Sequence, residues 1–182
     1  MRYLLALTLT LCVSGAFAQK TPEATLERYF TILTSQDFSG IADLMATDSM
    51  MNLKKTMDDA ITFQANHGVY RLQRRIFGKK VSLAEVKAAT PEFYLDQLAG
   101  QILQSARTQH FGVDSRKILG RIDETDEMTH IVARLQMHQN EYHGSDILVY
   151  SLVNEDGEWK LRFPATIKQM VTVIESTAKQ VR

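Results

Sequence analysis

The sequence is poor in cysteine and proline and has no excess of either charge. Among its 182 residues are one Cys and three Pro, and 21 Lys and Arg balance 21 Asp and Glu. A single cysteine excludes a scaffold of disulfide bonds within the chain. A formal net charge of zero argues against general attraction to nucleic acid or anionic lipid, so we expect no nucleic-acid partner.

Long apolar runs are absent as well, except near the amino terminus. Arg2 precedes an apolar run from Leu4 to Val13, and Ala16-Phe17-Ala18 has the small-x-small form of a secretory cleavage site. The run is shorter than the about 20 residues needed to cross a bilayer, so we expect no transmembrane segment. We therefore predict a signal peptide at residues 1–18, cleaved after Ala18, and a periplasmic product.

The single cysteine lies inside this predicted signal peptide. Cys12 follows Leu11, whereas lipid-attachment signals place a small residue before the cysteine, so we expect cleavage rather than lipid anchoring. Residues 19–182 then lack cysteine, and their fold must rest on a hydrophobic core. No linker, repeat or low-complexity tract interrupts them, which predicts a single domain.

Helical periodicity dominates the chain from Thr21 to about Arg107. Thr21-Pro22-Glu23 has the form of an N-cap, a first helical position and an acidic first turn, and Thr90-Pro91-Glu92 repeats it. Ser82 and Glu85 have the spacing of a capping box. The predicted apolar faces of the first and last of these helices are Leu26, Tyr29, Phe30 and Leu33, and Leu95, Leu98, Ala99, Ile102 and Ala106.

From about residue 113 the apolar period changes from 3.6 to two, which indicates strands at residues 117–122 and 127–138. Residues 147–153 are apolar on both faces, which predicts a strand that is central or covered on both sides. A hairpin loop at residues 154–158 and a return strand ending at Pro164 follow. The predicted apolar face of a final helix is Ile167, Met170, Val171, Ile174 and Ala178.

Helices followed by strands predict an α+β fold. The first helix, a short helix at residues 38–45 and a meander ending in Asp156-Gly157-Glu158-Trp159-Lys160 resemble the NTF2-like (cystatin-like) superfamily. The resemblance implies a curved sheet around the first helix, with a conical pocket between them. We expect amino-terminal amphipathic helices packed on a curved antiparallel sheet of about four strands, with a carboxyl-terminal helix. Members use the pocket for isomerisation, dehydration or cargo binding, so function must come from the site.

One face of the second predicted strand gathers polar side chains. His130, Arg134, Gln136 and His138 alternate there with apolar residues. In a curved sheet such a face lines a pocket, whereas the alternative is a solvated sheet face. Tyr150, on an otherwise apolar strand, is either a core aromatic or part of a pocket wall. These five residues are the candidate ligand-binding set.

Other candidate sites have a structural explanation that we favour. His138, Glu141, His143 and Asp146 carry metal-ligand groups around one turn, but their spacing matches no metal signature, so we expect neither a metal nor a cofactor. The methionines between residues 45 and 57 are expected to pack in the core rather than bind copper. The basic residues between positions 71 and 80 are expected on a solvated helix face rather than in a phosphate site.

No catalytic motif is present: G-x-S-x-G, H-E-x-x-H, a P-loop and G-x-G-x-x-G are all absent. We therefore favour an exported, non-enzymatic binding or accessory domain with a small apolar ligand pocket. A first alternative is a small acid-base enzyme of isomerase or dehydratase type that uses the face at residues 130–138. A second is a structural protein that contacts another envelope protein through the last helix.

Overall fold

The computed structural model describes residues 21–164, 167, 169, 171–173 and 176. The predicted signal peptide at residues 1–18 lies outside them, as do Met170, Ile174 and Ala178 of the predicted final helix. Within the described residues, no helix combines the length and the apolar character needed to span a membrane.

Helices occupy the first part of the described chain. The side chains of Thr21, Ser82 and Thr90 each accept a hydrogen bond from a backbone amide in the first turn of the following helix, and the Ser82–Glu85 capping box is complete. The predicted helix starts are therefore confirmed. The helices are α1 (Pro22–Ser35), a 3₁₀ helix (Ala42–Leu44), α2 (Thr47–Asn66), α3 (Arg71–Phe77), α4 (Leu83–Ala88) and α5 (Pro91–Thr108).

A four-stranded antiparallel meander follows, in the order β1-β2-β3-β4. The last hairpin turns at Asp156 and Gly157, with φ of 53° and 85°, as the Asp-Gly pair predicts. Helices followed by an antiparallel sheet confirm the α+β fold. The strands are β1 (Phe111–Thr125), β2 (Met128–Gln139), β3 (Tyr142–Glu155) and β4 (Glu158–Leu161).

The two faces of the sheet differ in what covers them. On β2, Ile131, Ala133 and Leu135 are buried on the inner face, toward the helices, whereas Arg134 and Gln136 are exposed on the outer face. β1 pairs with β2 through three register shifts. Such bulges bend a strand and increase its twist, so the sheet curves around the helices.

Charged pairs hold α1 against β1. Arg116 Nε lies 3.0 Å from Glu27 Oε2, and Arg121 Nη1 lies 3.2 Å from Glu23 Oε1. Both glutamates are on one face of α1, four residues apart, which matches the spacing of helical neighbours. The first helix therefore runs across the inner face of the sheet.

The prediction that residues 147–153 form a central or doubly covered strand holds for the strand order, because β3 lies between β2 and β4, but it does not hold along the whole segment. β4 pairs only with Leu152–Glu155 of β3, so in the described part of the chain residues 142–150 pair only with β2. Ile147 and Val149 point to the outer face and are 56% and 59% exposed. The apolar pattern shows which side chains are apolar but not what covers them. No described element covers this face.

The hydrophobic core lies between the helices and the inner sheet face. Of the four methionines between residues 45 and 57, Met45, Met50 and Met57 are buried and Met51 is exposed, so three of them fill the core as expected. Ile167 and Val171 pack against the same core. The basic residues between positions 71 and 80 are all exposed.

Candidate ligand-binding cavity

An apolar cavity of about 530 Å³ lies between α1, α5 and the inner face of the sheet. Small-molecule sites in proteins typically enclose about 300–1,000 Å³, so this volume suits a small ligand. Pro164 and Ile167, which follow β4, also line it. The cavity is therefore enclosed by elements from both halves of the chain.

Two helices form one side of the cavity. Tyr29 and Leu33 lie four residues apart on α1, and the same face carries the buried Leu26 and Phe30. The lining residues from α5 follow at helical spacing and are Leu95, Leu98, Ala99, Ile102, Leu103 and Ala106. These are largely the helix faces that the periodicity predicts to be apolar. The cavity wall is therefore formed by the apolar faces of two amphipathic helices.

The sheet forms the opposite side. Leu135 and Met137 of β2, and Leu148 and Tyr150 of β3, line the cavity at alternate positions. Because successive strand residues point to opposite faces, each pair presents two apolar side chains to the helices. The ring of Phe30 lies edge-on against Tyr150, with centroids 5.3 Å apart. This contact packs α1 against β3.

Three of the lining residues carry polar side-chain atoms: Tyr29, Gln36 and Tyr150. The Gln36 amide donates a hydrogen bond of 3.3 Å to the carbonyl of Phe111. Tyr29 is 5% exposed and Tyr150 is 2% exposed, and among the described residues neither hydroxyl has a hydrogen-bond partner. None of the described lining residues is charged, so these residues offer neutral hydrogen-bonding groups in an apolar wall.

The two tyrosines form an edge-on pair, with ring centroids 6.0 Å apart. Burial raises the pKa of Tyr29 to about 12. Burial also raises the pKa of Tyr150, and the proximity of Tyr29 adds to that increase. A low-dielectric environment disfavours the charged phenolate, so both side chains remain protonated near neutral pH and can donate hydrogen bonds.

The cavity extends to the unpaired edge of β3. Ile147 and Val149 point to the outer face, yet they also line the cavity. Both lie in the part of β3 that β4 does not reach. Pro164 and Ile167 line the same cavity, which places the segment after β4 close to this edge.

The structure separates the five candidate residues predicted from the sequence. Tyr150 lines the cavity, whereas His130, Arg134, Gln136 and His138 lie on the outer face of β2. Eight residues separate the two histidines along the strand, which corresponds to roughly 26 Å. These four side chains therefore share a face but do not converge on one site.

Each histidine on that face has its own partners. His130 Nε2 lies 2.7 Å from Glu124 Oε2, and its Nδ1 lies 3.0 Å from the hydroxyl of Ser151. The Gln136 side-chain oxygen accepts a 2.5 Å hydrogen bond from the hydroxyl of Ser115. These are local cross-strand contacts, as expected for a polar sheet face.

His138 and His143 occupy paired positions on β2 and β3 and share one carboxylate. Their Nδ1 atoms lie 2.6 Å and 3.3 Å from the two oxygens of Asp114. Asp114 stands at a register shift of β1, which a sequence pattern does not reveal. Neither Glu141 nor Asp146 joins this cluster, and within the described residues no group of three His, Cys, Asp or Glu is arranged to hold a metal ion.

Sequence reasoning missed a polar network that connects α2, α4 and α5. The Tyr94 hydroxyl donates to the carboxylate of Asp58, and Lys54 Nζ lies 2.6 Å from Asp58 Oδ2. Lys54 also donates a 3.0 Å hydrogen bond to the carbonyl of Lys87. The Lys54–Asp58 spacing of four residues is visible in the sequence, but the third partner comes from a helix 36 residues further on.

Comparison with known proteins gave no match: no protein-family model matches the chain, and no curated protein matches its sequence. The class that the structure itself defines is an α+β fold with an apolar cavity between its helices and its sheet.

Proposed function

We propose that this protein binds a small apolar molecule in the cavity between α1, α5 and the sheet. The observation that carries the proposal is the cavity volume of about 530 Å³, whose described lining residues are apolar except for two tyrosines and one glutamine. Burial of apolar ligand surface provides the driving force, at about 25 cal/mol per Å² removed from water. A site of this composition selects ligands by shape and hydrophobicity.

The lining favours binding over acid-base catalysis. Proton transfer near neutral pH needs a group whose pKa lies near neutrality, and the titratable residues in the described part of the lining are Tyr29 and Tyr150. The pKa of Tyr29 is raised to about 12 and that of Tyr150 is also raised. The histidines on which the enzyme alternative depends lie on the other face of the sheet.

We further propose that the binding occurs outside the cytoplasm, in a protein of NTF2-like form. Support for export comes from the apolar segment and small-x-small site in residues 1–18, and from the absence of cysteine in residues 19–182. Support for the NTF2-like form comes from the helix-then-meander order and the Asp-Gly-x-Trp-Lys ending. The alternative of envelope contact depends on the last helix, much of which lies outside the described residues.

A cavity-filling substitution tests the proposal. Ala106→Trp places a large ring in the cavity wall, whereas Gln104→Trp places the same ring on the exposed face of α5. We expect the neutral dye N-phenyl-1-naphthylamine to bind the wild-type protein, and its affinity to fall about tenfold in Ala106→Trp only. The measurement is a titration followed by dye emission.

The matched position of the control separates cavity occlusion from a general effect of tryptophan. Equal affinity in Ala106→Trp and Gln104→Trp, with both variants folded by circular dichroism, would show that the dye binds elsewhere. A wild-type protein that binds neither this dye nor any other neutral apolar compound would contradict the proposed function itself.

A further inference from the structure

Two buried tyrosines in the cavity wall carry hydroxyl groups for which the described residues provide no partner. Tyr29 and Tyr150 are 5% and 2% exposed, both line the cavity, and among the described residues neither hydroxyl is hydrogen-bonded. Buried polar groups in folded proteins are normally satisfied, and one without a partner costs free energy. Because both residues line the cavity, a molecule bound there can supply the missing hydrogen-bond partner.

The chemistry of the wall restricts what that group is. Among the residues that the structure describes, the lining includes no Lys, Arg or His, so none of these residues offers a cation to pair with a carboxylate or a phosphate. Burial of an unpaired anion is strongly unfavourable. Both tyrosines are protonated donors, because burial raises the pKa of each. The complementary group is an uncharged acceptor.

We propose that the ligand is an uncharged apolar molecule whose carbonyl oxygen accepts hydrogen bonds from Tyr29 and Tyr150. A carbonyl oxygen has two lone pairs and can accept from both phenols at once. The two rings are in edge-on contact, with centroids 6.0 Å apart, so the two tyrosines are neighbours in the wall. This inference rests on the proposed function and adds the polar chemistry of the ligand to it.

The two tyrosines also fix the orientation of the ligand. They are among the least exposed lining residues, whereas Phe111 and Ile147 at other parts of the lining are 38% and 56% exposed. The carbonyl end therefore lies at the buried end of the cavity and the apolar remainder extends toward the edge of β3. The shape of this apolar part of the ligand is less restricted, since no described strand covers the edge of β3 there.

Three compounds with one ring system test this inference on the wild-type protein. Naphthalene provides the apolar surface alone, 2-acetylnaphthalene adds a neutral carbonyl, and 2-naphthoate adds an anion. In displacement of N-phenyl-1-naphthylamine, we expect the ketone to bind about tenfold more tightly than naphthalene and than the carboxylate. Naphthoate as the tightest ligand, or equal affinities for ketone and naphthalene, would overturn the inference.

Removal of the hydroxyls tests the assignment to these two residues. The double variant Tyr29→Phe/Tyr150→Phe keeps both rings, and Tyr142→Phe is a matched control on a side chain that is 81% exposed. We expect the ketone's advantage over naphthalene to disappear in the double variant and to persist in the control. An advantage that persists in the folded double variant would place the carbonyl elsewhere.

The compound series also separates failure of this inference from failure of the proposed function. Suppose that naphthalene binds, that Ala106→Trp weakens its binding, and that the ketone binds no more tightly. The cavity would then bind apolar molecules as proposed, but water alone would complete the hydrogen bonds of its hydroxyls. Absence of binding by every member of the series would contradict the proposed function.

Discussion

A glycine on β1 makes room for the imidazole of His138. Gly112 pairs with His138, and a Cβ atom at position 112 would lie 2.5 Å from Cε1 and 2.9 Å from Nε2 of that ring. The ring therefore lies across the glycine, with its Nδ1 2.6 Å from Oδ1 of Asp114. This hydrogen bond lowers the pKa of Asp114, and the hydrogen bond with His143 makes a smaller contribution in the same direction.

Substitution of Gly112 should weaken the hydrogen bond between His138 and Asp114. In Gly112→Ala the imidazole must move away, so we expect the pKa of Asp114 to rise toward its ordinary value of 3.8. Carboxyl ¹³C NMR titration measures this change. Gly120→Ala is the control, because a Cβ atom at that position of the same strand meets no atom within 4 Å. An unchanged titration of Asp114 in Gly112→Ala would contradict the steric explanation.

The same contact makes stability depend on pH in a definite direction. A carboxyl whose pKa is lowered by folding stabilises the folded state above its unfolded pKa, and the stabilisation is lost as the pH falls through the folded value. For Asp114 the loss occurs below about pH 3.8. The Tm difference between the wild-type protein and Gly112→Ala should therefore narrow in that range, as thermal unfolding followed by circular dichroism would show.

At the scale of elements, the network of Lys54, Asp58 and Tyr94 holds helix α2 against helix α5. It connects α2 to α5, and α5 forms one wall of the cavity. Burial, followed by the hydrogen bond to Asp58 and its charge, raises the pKa of Tyr94. Lys54 Nζ also lies 5.1 Å from the centre of the Tyr94 ring. The position of the cavity wall therefore depends on a polar contact outside the cavity.

Tyr94→Phe should destabilise the protein by about 1–2 kcal/mol, because a hydrogen bond to a charged group is lost while Lys54 still pairs with Asp58. Urea unfolding measures the free energy of unfolding. Tyr142→Phe, which removes a hydroxyl from an exposed ring, should change it by less than about 0.5 kcal/mol. Equal stability of the two variants would mean that the Tyr94 hydroxyl contributes nothing beyond its packing.

At the scale of the whole molecule, the short β4 leaves part of β3 beside the cavity without a second strand partner among the described residues. Hydrogen bonding of β4 ends at Leu152 of β3, and the described residues provide no strand partner for the amides on that side of residues 142–150. Ile147 and Val149 in this segment line the cavity as well. Among the described residues, no strand pairing separates the cavity from this edge.

Amide hydrogen exchange should reveal this edge. Successive amides of an antiparallel strand point to opposite sides, so we expect slow and fast exchange to alternate along residues 142–150. Most amides of β2 have a strand on each side and should exchange slowly. Two-dimensional NMR after transfer to D₂O measures both sets. Uniformly slow exchange along β3 would show that another segment or a second chain covers the edge.

Local signals predicted the elements well because their physical causes are local. The start of α1 depends on the Thr21 hydroxyl and on Pro22, and the last hairpin depends on positive φ at Asp156 and Gly157. The α+β order follows from the change of apolar period. The face at residues 130–138 was also recognisable as polar, but alternation alone does not tell which elements lie above each face.

The candidate site depended on contacts that no local pattern contains. Tyr150 was predicted as a core or pocket residue, and it lines the cavity. Its partner Tyr29 looks in sequence like any core-facing residue of an amphipathic helix. The two meet only because α1 crosses the inner face of the sheet, held by Arg116 and Arg121.

By itself, the sequence determined the order of helices and strands, their capping and turns, the balance of charge, and the apolar character of the faces that pack together. These features depend on residues a few positions apart. Tertiary structure alone decided that α1 and α5 leave about 530 Å³ against the sheet, that part of β3 lacks a second strand partner among the described residues, and that Tyr29 and Tyr150 meet in one wall. The volume and partners of a site depend on how far apart packed elements lie, and this distance is set by side chains that are remote in the chain.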